Sequence, residues 1–145
     1  MKIAIGNDHI GIELKDTLDE YFNSKNIQTE HFGSSTKTRM NYPEIAFELS
    51  EAVAMGNFDS GILICGTGVG MSIAANKVNG IRAVVCSEPF SARMSREHNN
   101  ANILCLGSRV IGSELAKMIL DNWFDFNYLG DRHQVRVDMI NNYGK

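Results

Sequence analysis

Apolar and polar positions along this chain change their period repeatedly, and each change marks an element. Lys2 to Gly6 is a short apolar run that reads as a buried strand. From Ile10 to Phe22 the apolar residues Ile10, Leu14, Leu18, Tyr21 and Phe22 recur at helical spacing. Ile27 to Phe32 alternates like a strand and closes on Gly33-Ser34-Ser35. Pro43 is placed to start a helix carrying Ile45, Ala46, Leu49, Val53 and Ala54, which Gly56-Asn57 stops. Phe58 to Cys65 reads as a third strand, Val69 to Lys77 as a helix, and Ile81 to Ser87 as a fourth strand after the Asn79-Gly80 turn. Ser91 to Asn99 is helical, Ile103 to Leu106 a fifth strand, and Ser113 to Phe124 an amphipathic helix with Leu115, Met118, Ile119 and Trp123 on one side. Arg132 to Asn142 reads as a last helix.

Regular alternation of strands and helices predicts an α/β fold: an open, parallel, five-stranded sheet with helices on both faces. Ligands of such sheets bind outside the carboxyl ends of the strands. The polar residues expected at those ends are Asn7, Asp8 and His9 after strand one, Cys65 to Gly70 after strand three, Glu88 after strand four, and Ser108-Arg109 after strand five.

Composition narrows the picture. The 145 residues suit one domain spanning 1–145, large enough to bury a core without covalent staples. A net charge of −3 and the lack of any Lys/Arg run argue against a nucleic-acid or membrane-surface partner. No apolar run is long enough to span a bilayer, and Met1 to Gly6 is too short for a secretory apolar segment. The three cysteines, Cys65, Cys86 and Cys105, form no CxxC pair, so neither zinc ligation nor a disulfide framework is expected. Free thiols fit a reducing cytoplasm, with Cys86 and Cys105 acting as small buried apolar residues.

Cys65 reads differently because Gly66-Thr67-Gly68-Val69-Gly70 follows it. A thiol at a strand's carboxyl end beside a glycine loop and the start of a helix lies where backbone N–H groups favour the thiolate. Such a nucleophile or base beside an anion cradle points to an enzyme site. The loop is GxGxG and matches the dinucleotide fingerprint GxGxxG only loosely. Glu88, about twenty residues on, stands where a ribose-binding acid would, so a non-catalytic nucleotide-binding module is the alternative from another class. Asp8-His9 reads as an acid/base or phosphate-contacting pair, or Asp8 as a helix cap. His98, at a helix end, reads by itself as solvated. Arg132 and Arg136 share a helix face and could grip a phosphate, or form a solvated basic face, and Arg109 is a third ligand for the same anion.

Several segments together resemble one family nearly end to end. They are Gly6-Asn7-Asp8-His9, Asn41-Tyr42-Pro43, Ile64 to Gly70, Ala74 to Lys77, Gly80-Ile81-Arg82-Ala83, His98-Asn99, Gly107-Ser108-Arg109 and Gly130 to Val137. The resemblance is to the type B ribose-5-phosphate isomerases, in the sugar-phosphate isomerase family that includes the galactose-6-phosphate isomerase subunits. It implies a Rossmann-like three-layer α/β/α sandwich. It also implies a metal- and cofactor-independent aldose–ketose isomerase, and a homodimer or dimer of dimers with sites at the subunit interface. By resemblance Cys65 is the base between C1 and C2, with Thr67 and His98 assisting ring opening and His98 as the acid. N–H groups of Gly66, Thr67, Gly68, Val69 and Gly70 hold the enediolate oxygen, and Asp8 orients sugar hydroxyls. His9, Arg109, Arg132 and Arg136 bind the phosphate, and Tyr42 and Asn99 line the pocket. Family members without this cysteine carry a glutamate later in the loop, where this chain has Met71. The chain departs from common family residues at Asn7 and Asn41, which flank the pocket and could tune substrate choice. The implied substrate pair is ribose 5-phosphate and ribulose 5-phosphate, with allose 6-phosphate or galactose 6-phosphate as six-carbon alternatives.

Overall fold

The computed structural model describes all residues, Met1–Lys145. Its strands are β1 (Lys2–Asn7), β2 (Gln28–Gly33), β3 (Ser60–Cys65), β4 (Ala83–Val85) and β5 (Ile103–Gly107). They form one fully parallel sheet in the order β2-β1-β3-β5-β4. The helices are α1 (Ile12–Ser24), α2 (Tyr42–Ala54), α3 (Val69–Ala75), α4 (Pro89–Asn99), α5 (Ser113–Phe124) and α6 (Gln134–Asn142).

Strand residues alternate between two apolar layers, as the two-residue strand period requires. Ile3, Ile5, Ile62, Ile64, Leu104 and Leu106 face α1 and α5, where Leu18, Phe22, Ile119 and Trp123 are buried. Ala4, Leu63, Cys65, Ile103 and Cys105 face α2 and α3. The expected three-layer α/β/α sandwich is therefore present. Because the chain runs from β1 outward to β2 and then returns to the far side for β3, connections leave β1 and β3 toward opposite edges. The carboxyl ends of those two neighbouring strands open a crevice, and they carry Asp8 and Cys65.

Five details differ from the sequence reading. Helix α1 begins at Ile12, not Ile10, because the Asp8 carboxylate accepts the Ile10 and Gly11 N–H groups at 2.9 and 3.1 Å and holds a turn there. The glycine-loop helix α3 stops at Ala75, not Lys77: Asn76 caps it, and its side chain bonds both the N–H and the C=O of Ala83 at 2.8 Å. Strand β4 is cut to three residues, since Arg82 N–H is taken by Asn102 Oδ1 instead of a ladder partner. On α5, Met118 is exposed, and Ala116, Ile119, Leu120 and Trp123 form the buried stripe, the i, i+3, i+4, i+7 set of one helix face. The last helix starts at Gln134, because Gly130 and Asp131 both take positive φ and leave Asp131–His133 as a 3-10 turn.

Candidate active site

At the carboxyl edge of the sheet, the glycine loop turns from β3 into α3. Gly68 has φ of +79°, a left-handed conformation that a side chain would strain, and this turns its N–H back onto Cys65. The Gly68 N–H donates to Cys65 Sγ at 3.1 Å, while Cys65 itself is 6% exposed. Burial first and then the Glu88 charge push the Cys86 thiol up to about 11, and complete burial pushes the Cys105 thiol well above its ordinary range. Both are buried as expected, and all three cysteines are free.

Close backbone approach fixes the loop. A Cβ on Gly107 would sit 2.7 Å from the carbonyl of Thr67, so β5 carries the loop directly on its backbone. Ser108 N–H donates to Cys65 O at 2.9 Å, and Arg109 N–H to Gly66 O at 3.0 Å. Arg109 is thereby laid along the face of Gly66, with its Cδ 3.7 Å from where a Cβ would stand. On the other side a Cβ at Gly70 would meet the hydroxyl end of the Tyr42 ring at 2.6 Å, so Tyr42 packs directly against the loop's end. Thr67 and Val69 are exposed on it.

Asp8 follows β1 and is buried, tied by its own N–H to Ile64 O at 3.1 Å. Its Oδ1 holds the turn ahead of α1 and does not cap the helix, whose N-cap is Gly11 without a side-chain bond, and Oδ2 is left without a protein donor. Neighbouring His9 keeps Nδ1 buried without a partner. His9 stands between two clefts. One, of about 530 Å³, is lined by His9, Arg109, Ser108 and Lys37; the other, of about 550 Å³, by Asp8, His9, Arg39, Asn41 and Tyr42. Lys37 and Arg39 were missed in the sequence reading. Their only signal was two cations in a polar loop between a strand and Pro43. Asn7, by contrast, is spent on structure: its Nδ2 donates to Asp8 O and Ser34 O at 2.9 and 2.8 Å.

The remaining expected site residues lie elsewhere. Helix α4 runs back from the carboxyl edge, so His98 and Asn99 at its end reach the amino edge. There Arg82, just ahead of β4, donates from Nε to Asn99 O and Asn100 O, and Asn102 O accepts from Gly61 N–H at the start of β3. A strand of this length separates the two edges by about 17–20 Å. Arg132 and Arg136 are on the same side as His98: the His133 ring stacks on His98, and Leu129 N–H donates to Glu97 O at 3.0 Å. Arg136 Nη1 donates to the Arg132 backbone carbonyl at 2.8 Å, and Arg132 itself lies in the 3-10 turn ahead of α6. One chain thus brings together Asp8, His9, Tyr42, Cys65 to Gly70 and Arg109, and separately His98, Asn99, Arg132 and Arg136. Nor does His98 stand free in solvent, as it reads by itself, because His133 covers it.

Glu88 does not offer a free carboxylate to a ribose. Both its oxygens cap α4, accepting Phe90 N–H at 2.7 Å and Ser91 N–H at 2.9 Å. No three His, Cys, Asp or Glu side chains gather as a metal site, and no helix is long and apolar enough to cross a membrane.

Comparison with known proteins adds independent findings. The family model described as Ribose/Galactose Isomerase matches residues 3–140. Ribose-5-phosphate isomerase B of Escherichia coli (strain K12) is 53% identical over 139 residues, covering 96% of this chain and 93% of that one. The D-erythrulose-4-phosphate isomerase of Pectobacterium atrosepticum is 43% identical over 144 residues, covering 99% and 95%. The crystal structure of ribose-5-phosphate isomerase B from Mycoplasma genitalium with bound ribulose-5-phosphate superposes with a TM-score of 0.93 at 38% identity, covering 98% of this chain and 95% of that one.

Proposed function

This chain belongs to the ribose/galactose isomerase family, and from that membership we propose that it interconverts ribose 5-phosphate and ribulose 5-phosphate through an enediolate. The observation that carries the reading is the Cys65 thiol at the end of β3, bonded by Gly68 N–H at 3.1 Å, beside a cleft lined by His9 and Arg109.

The ribose ring must open before the reaction, and His98, assisted by Thr67, gives the ring oxygen its proton. Cys65 then removes the proton at C2 of the open aldose. Negative charge passes to the C1 oxygen, where N–H groups of Gly66 to Gly70 oppose it. The proton returns at C1, the O2 proton passes to the C1 oxygen, and the ketose results with no net gain or loss of atoms. The phosphate is gripped by His9, Arg109, Arg132 and Arg136, which places C1 and C2 near the sulfur and lowers the entropic cost of alignment. Asp8, through its free Oδ2, orients sugar hydroxyls, and Tyr42 and Asn99 close the walls.

Because the two residue sets lie at opposite sheet edges, a complete site takes Cys65, Asp8 and Arg109 from one subunit and His98, Asn99, Arg132 and Arg136 from another. The exposed apolar residues Val69, Ile73, Val85 and Phe90 around the glycine loop and the edge strand suit burial against such a partner. We therefore assign a homodimer or dimer of dimers of one isomerase domain, working in a reducing compartment such as the cytoplasm, where its three free thiols persist.

The relative acting on D-erythrulose 4-phosphate supports a second, four-carbon reading. The test is to incubate the pure protein with ribose 5-phosphate, D-erythrulose 4-phosphate, allose 6-phosphate and galactose 6-phosphate and follow aldose–ketose conversion. Fastest turnover on ribose 5-phosphate is expected. Turnover confined to a four- or six-carbon substrate would move the assignment to it. No turnover with nucleotide-induced thermal stabilisation would make the chain a binding module.

A further inference from the structure

Arg82 is a half-buried cation that joins α4 and α6, the two elements carrying the second residue set. Its backbone is pinned on both sides by Asn102: its N–H donates to Asn102 Oδ1 at 2.8 Å, and its C=O accepts Asn102 N–H at 3.1 Å. Its half-buried guanidinium then divides in two directions. Nε donates to Asn100 O at 2.9 Å and Asn99 O at 3.2 Å, carbonyls that the end of α4 leaves without helical partners. Nη1 donates to Asn141 Oδ1 on α6 at 2.9 Å, and to Gly80 O at 3.3 Å. Every oxygen that Nε and Nη1 meet is a neutral one, and the Nε pair lies at a helix C-terminus, where a cation is favoured.

The α6 end of this link has few substitutes. Val137 is the only buried side chain of α6, and Asn100, with φ of 48°, turns the chain out of α4 in the left-handed conformation. Without Arg82, the α4 end and α6 would be related mainly by the His98–His133 stack and the Leu129–Glu97 hydrogen bond.

We propose that Arg82 is a positioning residue of the isomerase, which locks His98 and Asn99 on α4 and Arg136 on α6 into one rigid block presented to the partner's thiol. The proposal rests on the assignment of those residues under the proposed function. The guanidinium fork gives each arm a distinct consequence. The Nε arm sets the ring-opening acid, so its loss lowers kcat. The Nη1 arm sets the phosphate grip, so its loss raises KM.

The experiment measures steady-state kinetics on ribose 5-phosphate for the full-length oligomer of Arg82→Lys, Asn141→Ala and His98→Asn, with thermal unfolding of each. Arg82→Lys keeps a charge but cannot fork, and is expected to lose roughly tenfold or more in kcat and to raise KM. Asn141→Ala cuts the α6 arm alone and is expected to raise KM roughly five- to tenfold with kcat within about twofold. A purely structural role would lower the unfolding temperature and leave KM in place, which overturns the proposal. Should Arg82→Lys fail to fold, the KM of Asn141→Ala decides. Full activity of His98→Asn would fail the assignment of the acid itself. A crippled His98→Asn beside wild-type kinetics in folded Arg82→Lys and Asn141→Ala would defeat the positioning role alone.

Discussion

His98 and His133 lie ring on ring, with centroids 4.2 Å apart and planes 12° from parallel. The stack joins the end of α4 to the 3-10 turn before α6, and it brings two titratable rings together beside Arg132 and Arg136. Partial burial first, then the charges of His98, Arg132 and Arg136, hold His133 below the ordinary histidine range, against an opposing pull from Asp131.

A pH dependence follows from that depressed value. The unfolded chain takes up the His133 proton near pH 6.5, and the folded chain only at lower pH. Between those points the unfolded state binds more protons, so stability is complete above about pH 6.5 and falls as pH drops through the folded value. Melting temperatures measured from pH 8 down to pH 5 should fall, and His133→Asn should flatten the slope. An equal slope in the variant would show that other groups set it.

Shared sites can be tested by mixing inactive subunits. Cys65→Ala and His98→Asn should each be nearly inactive alone. Randomly mixed dimers of the two should regain roughly one quarter of wild-type activity, since half the dimers are mixed and each carries one intact site. Absence of any recovery after verified subunit exchange would place both residues in a site made by a single chain.

Removal of the sulfur separates chemistry from binding. Cys65→Ala should reduce turnover at least about 100-fold, the usual worth of a placed base, while KM or product affinity moves little. Solvent deuterium should no longer enter the substrate at C2. Continued exchange at the wild-type rate would assign the base elsewhere.

The contact between β5 and the glycine loop is a packing prediction. In Gly107→Ala the new methyl meets the Thr67 backbone at 2.7 Å, so the loop must lift. A loss of about 1–3 kcal/mol in stability is expected from overpacking. The displaced Gly68 donor should add a drop in kcat larger than the change in KM. Chemical denaturation and kinetics on the same sample read the two effects.

Under the sheet, Trp123 is fully buried and its Nε1–H donates to Ser60 Oγ at 3.3 Å. Trp123→Ala should cost about 3–5 kcal/mol through lost burial and a cavity. Because this packing lies a strand's length from Asp8, Cys65 and Arg109 and touches neither His98 nor Arg136, the folded fraction should keep a normal KM. A raised KM in folded protein would show that the α5 layer supports the site directly.

Much of the site was legible because its residues follow strands whose apolar period is plain. Asp8-His9, Cys65 to Gly70 and Ser108-Arg109 each come directly after such a run, and all three sit at one sheet edge. Less was legible where long-range contacts rule. Met118 reads as core by spacing from Leu115, but the face that meets the sheet runs through Ala116 and Leu120 instead. Lys37 and Arg39 sit in a loop without period, so nothing local marks them as cleft walls. The task of Arg82 depends on Asn99, Asn100 and Asn141, up to 59 positions away along the chain.

Local chemistry alone thus determined the alternation of elements, the parallel α/β class and the thiol–glycine loop, since period, turn residues and strand ends are properties of neighbouring positions. Family resemblance contributed the roles of His98 and Asn99, while the spacing of Arg132 and Arg136 had already paired them as ligands of an anion. Only the folded chain decided that this set divides between two edges of the sheet, because the direction in which α4 recrosses the strands is settled by packing and strand order, and no spacing in the sequence records it.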